Sequence, residues 1–228
     1  MAKYYPMMMN IEQQPALVVG GGPIAARKAA TLADYGARVR IVAPHFSDEA
    51  LRIANESGLE VVQRPFEDAD LDTPVLVFAA TDDQELHHHI KAECDRRRIP
   101  CNIVDVTPLC SFIVPSIIRR GELMITISTD GLCPAYSKYQ RKRLEQCCFG
   151  PGAERMLHVV TAAREELKAG LGHGMSDEEK FEALREVIES DLPLVIESHG
   201  EGYAAEEAVR RIRQIVARRH AEIQNTED

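Results

Sequence analysis

The chain has 228 residues, 45% hydrophobic and 28% charged, with a formal net charge of −9. That length suits one nucleotide-binding-sized domain plus a smaller one, and the acidic balance argues against nucleic acid as a partner. No apolar run reaches the roughly 20 residues of a membrane span, and no basic segment with an apolar core opens the chain. A cytoplasmic location with no membrane partner is therefore expected.

Residues Tyr4 to Asn10 read as an edge strand with Pro6 near its start, and Met7, Met8 and Met9 read as core filler. Ala16–Val19 is a short apolar strand that stops at Gly20, Gly21 and Gly22. A helix is predicted from Pro23 to Tyr35, with Gly36 ending it. Read as Gly-x-Gly-x-x-Ala, residues 20–25 form a turn that brings backbone N–H groups and a helix N-terminus to a pyrophosphate. Gly20 allows the tight turn, Gly22 the approach of the ligand, and Ala25 the close packing of helix on strand. An ordinary glycine turn would look similar, but the strand-turn-helix context favours nucleotide binding.

Further strands are predicted at Val39–Ala43, Leu59–Gln63, Val75–Ala80 and Cys101–Val104, with helices at Ser47–Ser57 and Asp83–Arg98. Strands alternating with helices indicate a Rossmann-like, doubly wound parallel sheet, hence an α/β fold. The pattern changes at Phe112–Ile118 and Leu123–Ser128, which read as a β-hairpin around Arg119-Arg120-Gly121-Glu122. Pro134 opens a basic helix. From about Gly150 the periodicity is helical, through Met156, Val160 and Ala163, then Phe181, Leu184 and Ile188, then Val209, Ile212, Ile215 and Val216. Ser176 and Glu179 form a capping box. The expected division is 1–113 for the nucleotide-binding domain, 114–149 for a hairpin-and-helix region, and 150–228 for an all-α C-terminal domain.

The six cysteines, Cys94, Cys101, Cys110, Cys133, Cys147 and Cys148, have no zinc-ligand spacing and are expected to be reduced thiols. The second strand ends Val42-Ala43-Pro44-His45, without the acid that usually holds a ribose 2′-hydroxyl. A nucleotide could still be held by backbone groups around Pro44 and His45, and NAD is not separable from NADP on this ground. Asp105 follows the fifth strand, at the sheet edge where ligands of such folds gather. Its carboxylate could accept a proton or contact a metal, and its position equally suits a turn or cap residue.

These stretches together resemble the precorrin-2 dehydrogenase / sirohydrochlorin ferrochelatase family of sirohaem synthesis. The matching residues are Gly20–Ala25 with Arg27-Lys28, Ala80-Thr81-Asp82-Asp83, Asn102-Ile103-Val104-Asp105, Phe112, Pro115–Ile118, and Ile127-Ser128-Thr129 with Gly131 and Pro134. The resemblance covers about residues 1–145. It implies an NAD-binding Rossmann domain, a homodimer built by the hairpin and following helix, and a small helical domain. The implied reaction is NAD-dependent oxidation of precorrin-2 to sirohydrochlorin. In bifunctional members, Fe²⁺ (or Co²⁺) is then inserted in the same pocket, without a preformed metal cage. Asp105 matches the family's catalytic aspartate and is the possible metal contact. The cofactor positions implied are Gly20, Gly21, Gly22, Pro23, Ile24, Ala43, Pro44, His45, Thr81, Asp82, Asn102 and Val104. Ser128, Thr129, Arg119, Arg120 and Lys138 are candidate substrate contacts, because the tetrapyrrole is a polycarboxylate.

Two departures stand out. His87-His88-His89 occupies a helix where many relatives carry Asn at the first position. Consecutive helical residues diverge, so a surface run is expected rather than a metal relay. Cys133 stands where relatives often have Ser. From its 228 residues the chain is expected to lack the methyltransferase domain of fused versions. A non-catalytic, dimeric NAD-sensing module is the rival reading. It explains residues 20–25 but not Asn102–Asp105 or Ile127–Pro134.

Overall fold

The computed structural model describes residues 3–147 and 153–227, with side chains described to residue 222. Cys148 and the start of the expected C-terminal domain at Gly150 lie outside the described residues. By its own contacts the chain divides into two units, Met1–Pro115 with Ser128–Pro134, and Ser116–Ile127 with Ala135–Asp228.

The first unit is built on five parallel strands, β1 (Pro15–Val19), β2 (Arg38–Ala43), β3 (Glu60–Gln63), β4 (Leu76–Ala79) and β5 (Cys101–Ile103). Their order across the sheet is β3-β2-β1-β4-β5. Chain direction therefore reverses its march between β1 and β4, the switch point at which ligands of open α/β sheets gather. Side chains alternate faces along a strand. Ala16 and Val18 of β1 pack with Ala25, Ala26, Ala29 and Leu32 of helix α1 (Pro23–Asp34) and Ala50 of α2 (Asp48–Glu56). Leu17 and Val19 face the other way, onto Ile90 and Cys94 of α3 (Gln84–Arg97). Both faces are covered, which is why the strands are almost continuously apolar.

The helix ends follow their sequence signals. Pro23 is the first residue of α1, and Gly36 follows its last turn at φ 82°. Ser47 Oγ accepts the Ala50 N–H at 3.2 Å, and Asp83 Oδ1 accepts the Leu86 N–H at 3.0 Å.

The N-terminal expectation is corrected. Residues 4–10 form no strand and pair with neither sheet edge. Met7, Met8 and Met9 are exposed, not core. A strand needs a partner edge, and Pro6 lacks the N–H to help make one.

In the second unit, β6 (Ser116–Arg120) and β7 (Leu123–Ile127) pair antiparallel, with Gly121 in the turn at φ 53°. Helix α4 (Pro134–Cys147) belongs to the same unit, together with α5 (Ala153–Glu166), α6 (Asp177–Ile188), α7 (Leu192–His199) and α8 (Glu201–Glu227). Val159, Ala163, Ala183, Val187, Ile196, Ala208 and Ile212 form part of its core. On α6 the buried stripe is Ala183 and Val187, while Phe181 and Ile188 of the expected stripe are exposed. The Ser176–Glu179 capping box forms as expected. His158 lies 2.9 Å from Glu201 and 3.2 Å from Glu122, and these carboxylates raise its pKa.

An ion pair with one buried partner, Asp70, fixes the loop between β3 and β4. Burial would push the Asp70 carboxyl up. Hydrogen bonds from the Arg64 guanidinium (2.7 and 2.8 Å) and the Glu67 N–H outweigh it and hold the pKa low. A carboxyl whose folded pKa is depressed adds stability above its unfolded pKa of about 3.9 and loses it as pH falls through the folded value. Asp70→Asn is expected to cost about 1–2 kcal/mol at neutral pH, because the buried side chain loses its charge-assisted bonds while the Arg64 guanidinium keeps access to water. In urea unfolding followed from pH 7 to pH 2, the gap to wild type should narrow in acid; a constant gap would contradict the assignment.

Candidate active site at the C-terminal sheet edge

The end of β1 is pinned by backbone bonds on both sides. The Gly20 N–H donates to Val42 O at 2.9 Å, the Ala80 N–H to Val19 O at 2.8 Å, and the Val104 N–H to Ala79 O at 2.9 Å. Gly20 turns away at φ 138°, where a Cβ would stand 2.2 Å from Ala80 O. A Cβ on Gly21 would stand 1.8 Å from His45 O, and Ser47 N–H closes the same contact by donating to Gly21 O at 3.0 Å. Pro44 and His45 are exposed and lie against the glycine turn, and Ala43 is buried beneath them.

Gly22 differs from its neighbours. Its φ is −90°, ordinary for any residue, and a Cβ there would meet nothing within 4 Å. It is the N-cap of α1, and no side chain caps that terminus. Open space in front of an uncapped helix N-terminus is what a pyrophosphate requires. Pro23 contributes no N–H, and Ile24 is about half exposed beside it. These residues fit the diphosphate of a dinucleotide.

On the far side of the switch point, Thr81 and Asp82 follow β4, Thr81 half-buried and Asp82 exposed. Asn102 donates its side-chain amide to Phe112 O at 2.9 Å, so it ties β5 to the following loop. Phe112 in turn packs edge-on against Phe78, with ring centroids 5.3 Å apart.

Asp105 follows β5 with an exposed side chain and φ 63°. Left-handed backbone costs most residues roughly 1 kcal/mol or more, and Asp tolerates it better than most. The next turn, Thr107–Leu109, meets the loop 128–134, because a Cβ on Gly131 would lie 2.9 Å from Thr107 Cγ2. Two stretches far apart in sequence thus converge beside Asp105. Strand spacing puts the β5 end roughly 10 Å from the β1 end.

Ser128 and Thr129 use their hydroxyls locally, accepting the Asp130 N–H at 3.0 Å and the Cys133 N–H at 3.1 Å. Arg119, Arg120 and Lys138 belong to the other unit. Arg119 donates to Gly121 O, Arg120 donates to Arg119 O, and Lys138 is exposed. Cys94, Cys101, Cys110, Cys133 and Cys147 are free thiols.

The histidine run is corrected. His88 and His89 are exposed and His89 meets Asp68 at 2.7 Å, but His87 is buried and its Nε2 lies 3.1 Å from Thr81 Oγ1. The signal was present: His87, Ile90 and Cys94 share one helical stripe, and the other two are apolar.

Residues 7–116 match a protein family described as "Putative NAD(P)-binding". The chain is 40% identical over 167 residues to a siroheme synthase of Thioalkalivibrio sulfidiphilus, across 73% of this chain and 34% of that protein. It is 42% identical over 143 residues to the siroheme synthase of Pseudomonas fluorescens strain Pf0-1, across 63% of this chain and 31% of that protein. Over most of its length the chain is therefore similar to siroheme synthases. It spans about a third of the length of those curated relatives. The solved structure titled "SirC, precorrin-2 dehydrogenase" superposes with a TM-score of 0.65, covering 92% of this chain and all of that one, at 23% identity. That likeness shows the shared fold. All but the last residue of the match to the NAD(P)-binding family lies in the first unit, which carries the glycine turn.

Gly21 and Gly22 separate stability from binding. Gly21→Ala must displace His45 O, and should unfold the first unit or cost roughly 3 kcal/mol or more. Gly22→Ala should leave the melting temperature nearly unchanged and weaken NAD binding by about tenfold or more, since its methyl enters the ligand's space. Equal effects of the two substitutions on stability would contradict this geometry; thermal melts with calorimetric titration of NAD decide it.

Proposed function

We propose that this chain oxidises precorrin-2 to sirohydrochlorin with NAD, a step of sirohaem synthesis. The observation that carries the reading is the pairing, on one sheet edge, of the Gly20–Gly22 cradle with the exposed carboxylate of Asp105. Similarity to siroheme synthases supports the same reading. Bound NAD supplies the hydride acceptor.

The chain's own residues do the rest. Gly20 closes the turn against Ala80, Gly22 leaves room for the cofactor's diphosphate, and the α1 terminus attracts its charge. Pro44, His45, Thr81, Asp82, Asn102 and Val104 are proposed to line the cofactor around that cradle. Asp105 accepts the proton that precorrin-2 loses together with its hydride, and releases it to solvent. Ser128 and Thr129 are proposed to contact the substrate from the loop beside Asp105. Arg119, Arg120 and Lys138 are proposed to meet its carboxylates through charge-assisted hydrogen bonds.

The working form is proposed to be a cytoplasmic homodimer joined through residues 114–149. Val114, Leu132, Tyr136 and Tyr139 of that stretch are exposed, which supports a covering partner of the same chain. Among the described residues, no helix is long and apolar enough to cross a membrane.

Asp105→Asn is the cleanest test, because Asn also tolerates the left-handed backbone. Turnover of precorrin-2 with NAD, followed as NADH and sirohydrochlorin absorbance, is expected to fall about 100-fold or more while NAD still binds. Unchanged turnover would remove Asp105 from the reaction, and no wild-type turnover with either NAD or NADP would overturn the proposed activity.

Metal insertion into sirohydrochlorin is proposed at the same place, with Fe²⁺ or Co²⁺ as substrate. The macrocycle's nitrogens hold the incoming ion, and Asp105 takes up the two protons they release one at a time, passing each to solvent. Sirohydrochlorin with Fe²⁺ or Co²⁺ and no NAD should give the metallated product, more slowly in Asp105→Asn. No product with either metal would confine the chain to the oxidation.

A further inference from the structure

His87 is buried, 5% exposed, one turn into α3, and its environment is unusual for a core residue. Its Nε2 lies 3.1 Å from Thr81 Oγ1, while its Nδ1 is buried with no hydrogen-bond partner. Thr81 Oγ1 also accepts the Asp83 N–H at 3.2 Å, and the Asp83 carbonyl lies 3.4 Å from it.

The tautomer follows from these distances. A proton on Nδ1 would be a buried donor with no acceptor, and orphaned buried N–H groups are rare and costly. A bare lone pair at Nδ1 is the better tolerated alternative. The proton then sits on Nε2 and is donated to Thr81 Oγ1. That oxygen now accepts two hydrogen bonds, from His87 and from the Asp83 N–H, and both its lone pairs are used. Its own proton has only the Asp83 carbonyl at 3.4 Å, beyond good hydrogen-bond length.

We infer that His87 is a positioning residue: it fixes the Thr81 hydroxyl as a donor toward an oxygen acceptor of the bound dinucleotide. Thr81 follows β4 directly after Ala80, whose carbonyl abuts Gly20, so the donor stands beside the cradle. The inference rests on the NAD-binding role proposed for that edge. His87 needs no contact with the cofactor, because it acts through Thr81.

The experiment has two parts. Imidazole nitrogen shifts of wild-type protein should report the Nε2–H tautomer at His87; an Nδ1–H tautomer would overturn the inference without any variant. NAD affinity by calorimetry is then measured for His87→Phe, Thr81→Val and the double variant. Each single change should weaken binding by about tenfold, and the double no further than Thr81→Val alone. His87→Gln, whose amide can also donate to Thr81, should recover most of the affinity. Additive losses, or wild-type affinity in His87→Phe, would overturn the inference and leave the proposed activity standing. Wild-type protein that binds neither NAD nor NADP would instead overturn both.

Discussion

A Cβ on Gly20 would lie 2.2 Å from the carbonyl of Ala80, and one on Gly21 1.8 Å from that of His45. The ends of β1, β2 and β4 close onto one another only because those two methyl-sized volumes are absent. The same closure holds the N-terminus of α1 over the switch point between β1 and β4. The cradle is therefore a by-product of strand packing, and its geometry is as rigid as the sheet. Gly22 alone faces open space, so it is the glycine that serves the ligand rather than the fold.

The chemistry proposed for the site depends on what lies two strands away. Asp105 is held in a left-handed turn at the end of β5, beside a loop that returns from the hairpin and packs on Thr107. Neither stretch could make a site by itself. The sheet edge supplies a common plane, the glycines one boundary of it, and the turn after β5 the other. The missing acid after β2 matters less in this arrangement, because the loop at His45 lies directly on Gly21.

Most of the first unit was legible because its signals are local and strong. Short apolar strands bounded by glycine, proline at the head of α1, and the Ser47 and Asp83 caps all act within a few residues. The failures share a cause: they need a partner that the local pattern cannot show. The Tyr4–Asn10 segment reads as an edge strand but meets no edge. His87 was read by residue type, as a polar surface residue, although its spacing from Ile90 and Cys94 put it on the buried stripe. The tie from the Asn102 amide to the Phe112 carbonyl is likewise a contact that the local pattern does not show. On α6 the fully buried residues are Ala183 and Val187, each one before the expected Leu184 and Ile188, although Leu184 still packs against the core.

The central claim is that cofactor and carboxylate meet at one sheet edge. A crystal structure of the chain with NAD bound tests it most directly. The diphosphate should lie against Gly22 at the α1 N-terminus, the adenosine on the β2 side near Pro44 and His45, and the nicotinamide on the β4–β5 side facing Asp105. A nicotinamide directed toward β3, or a diphosphate away from the α1 terminus, would contradict the account.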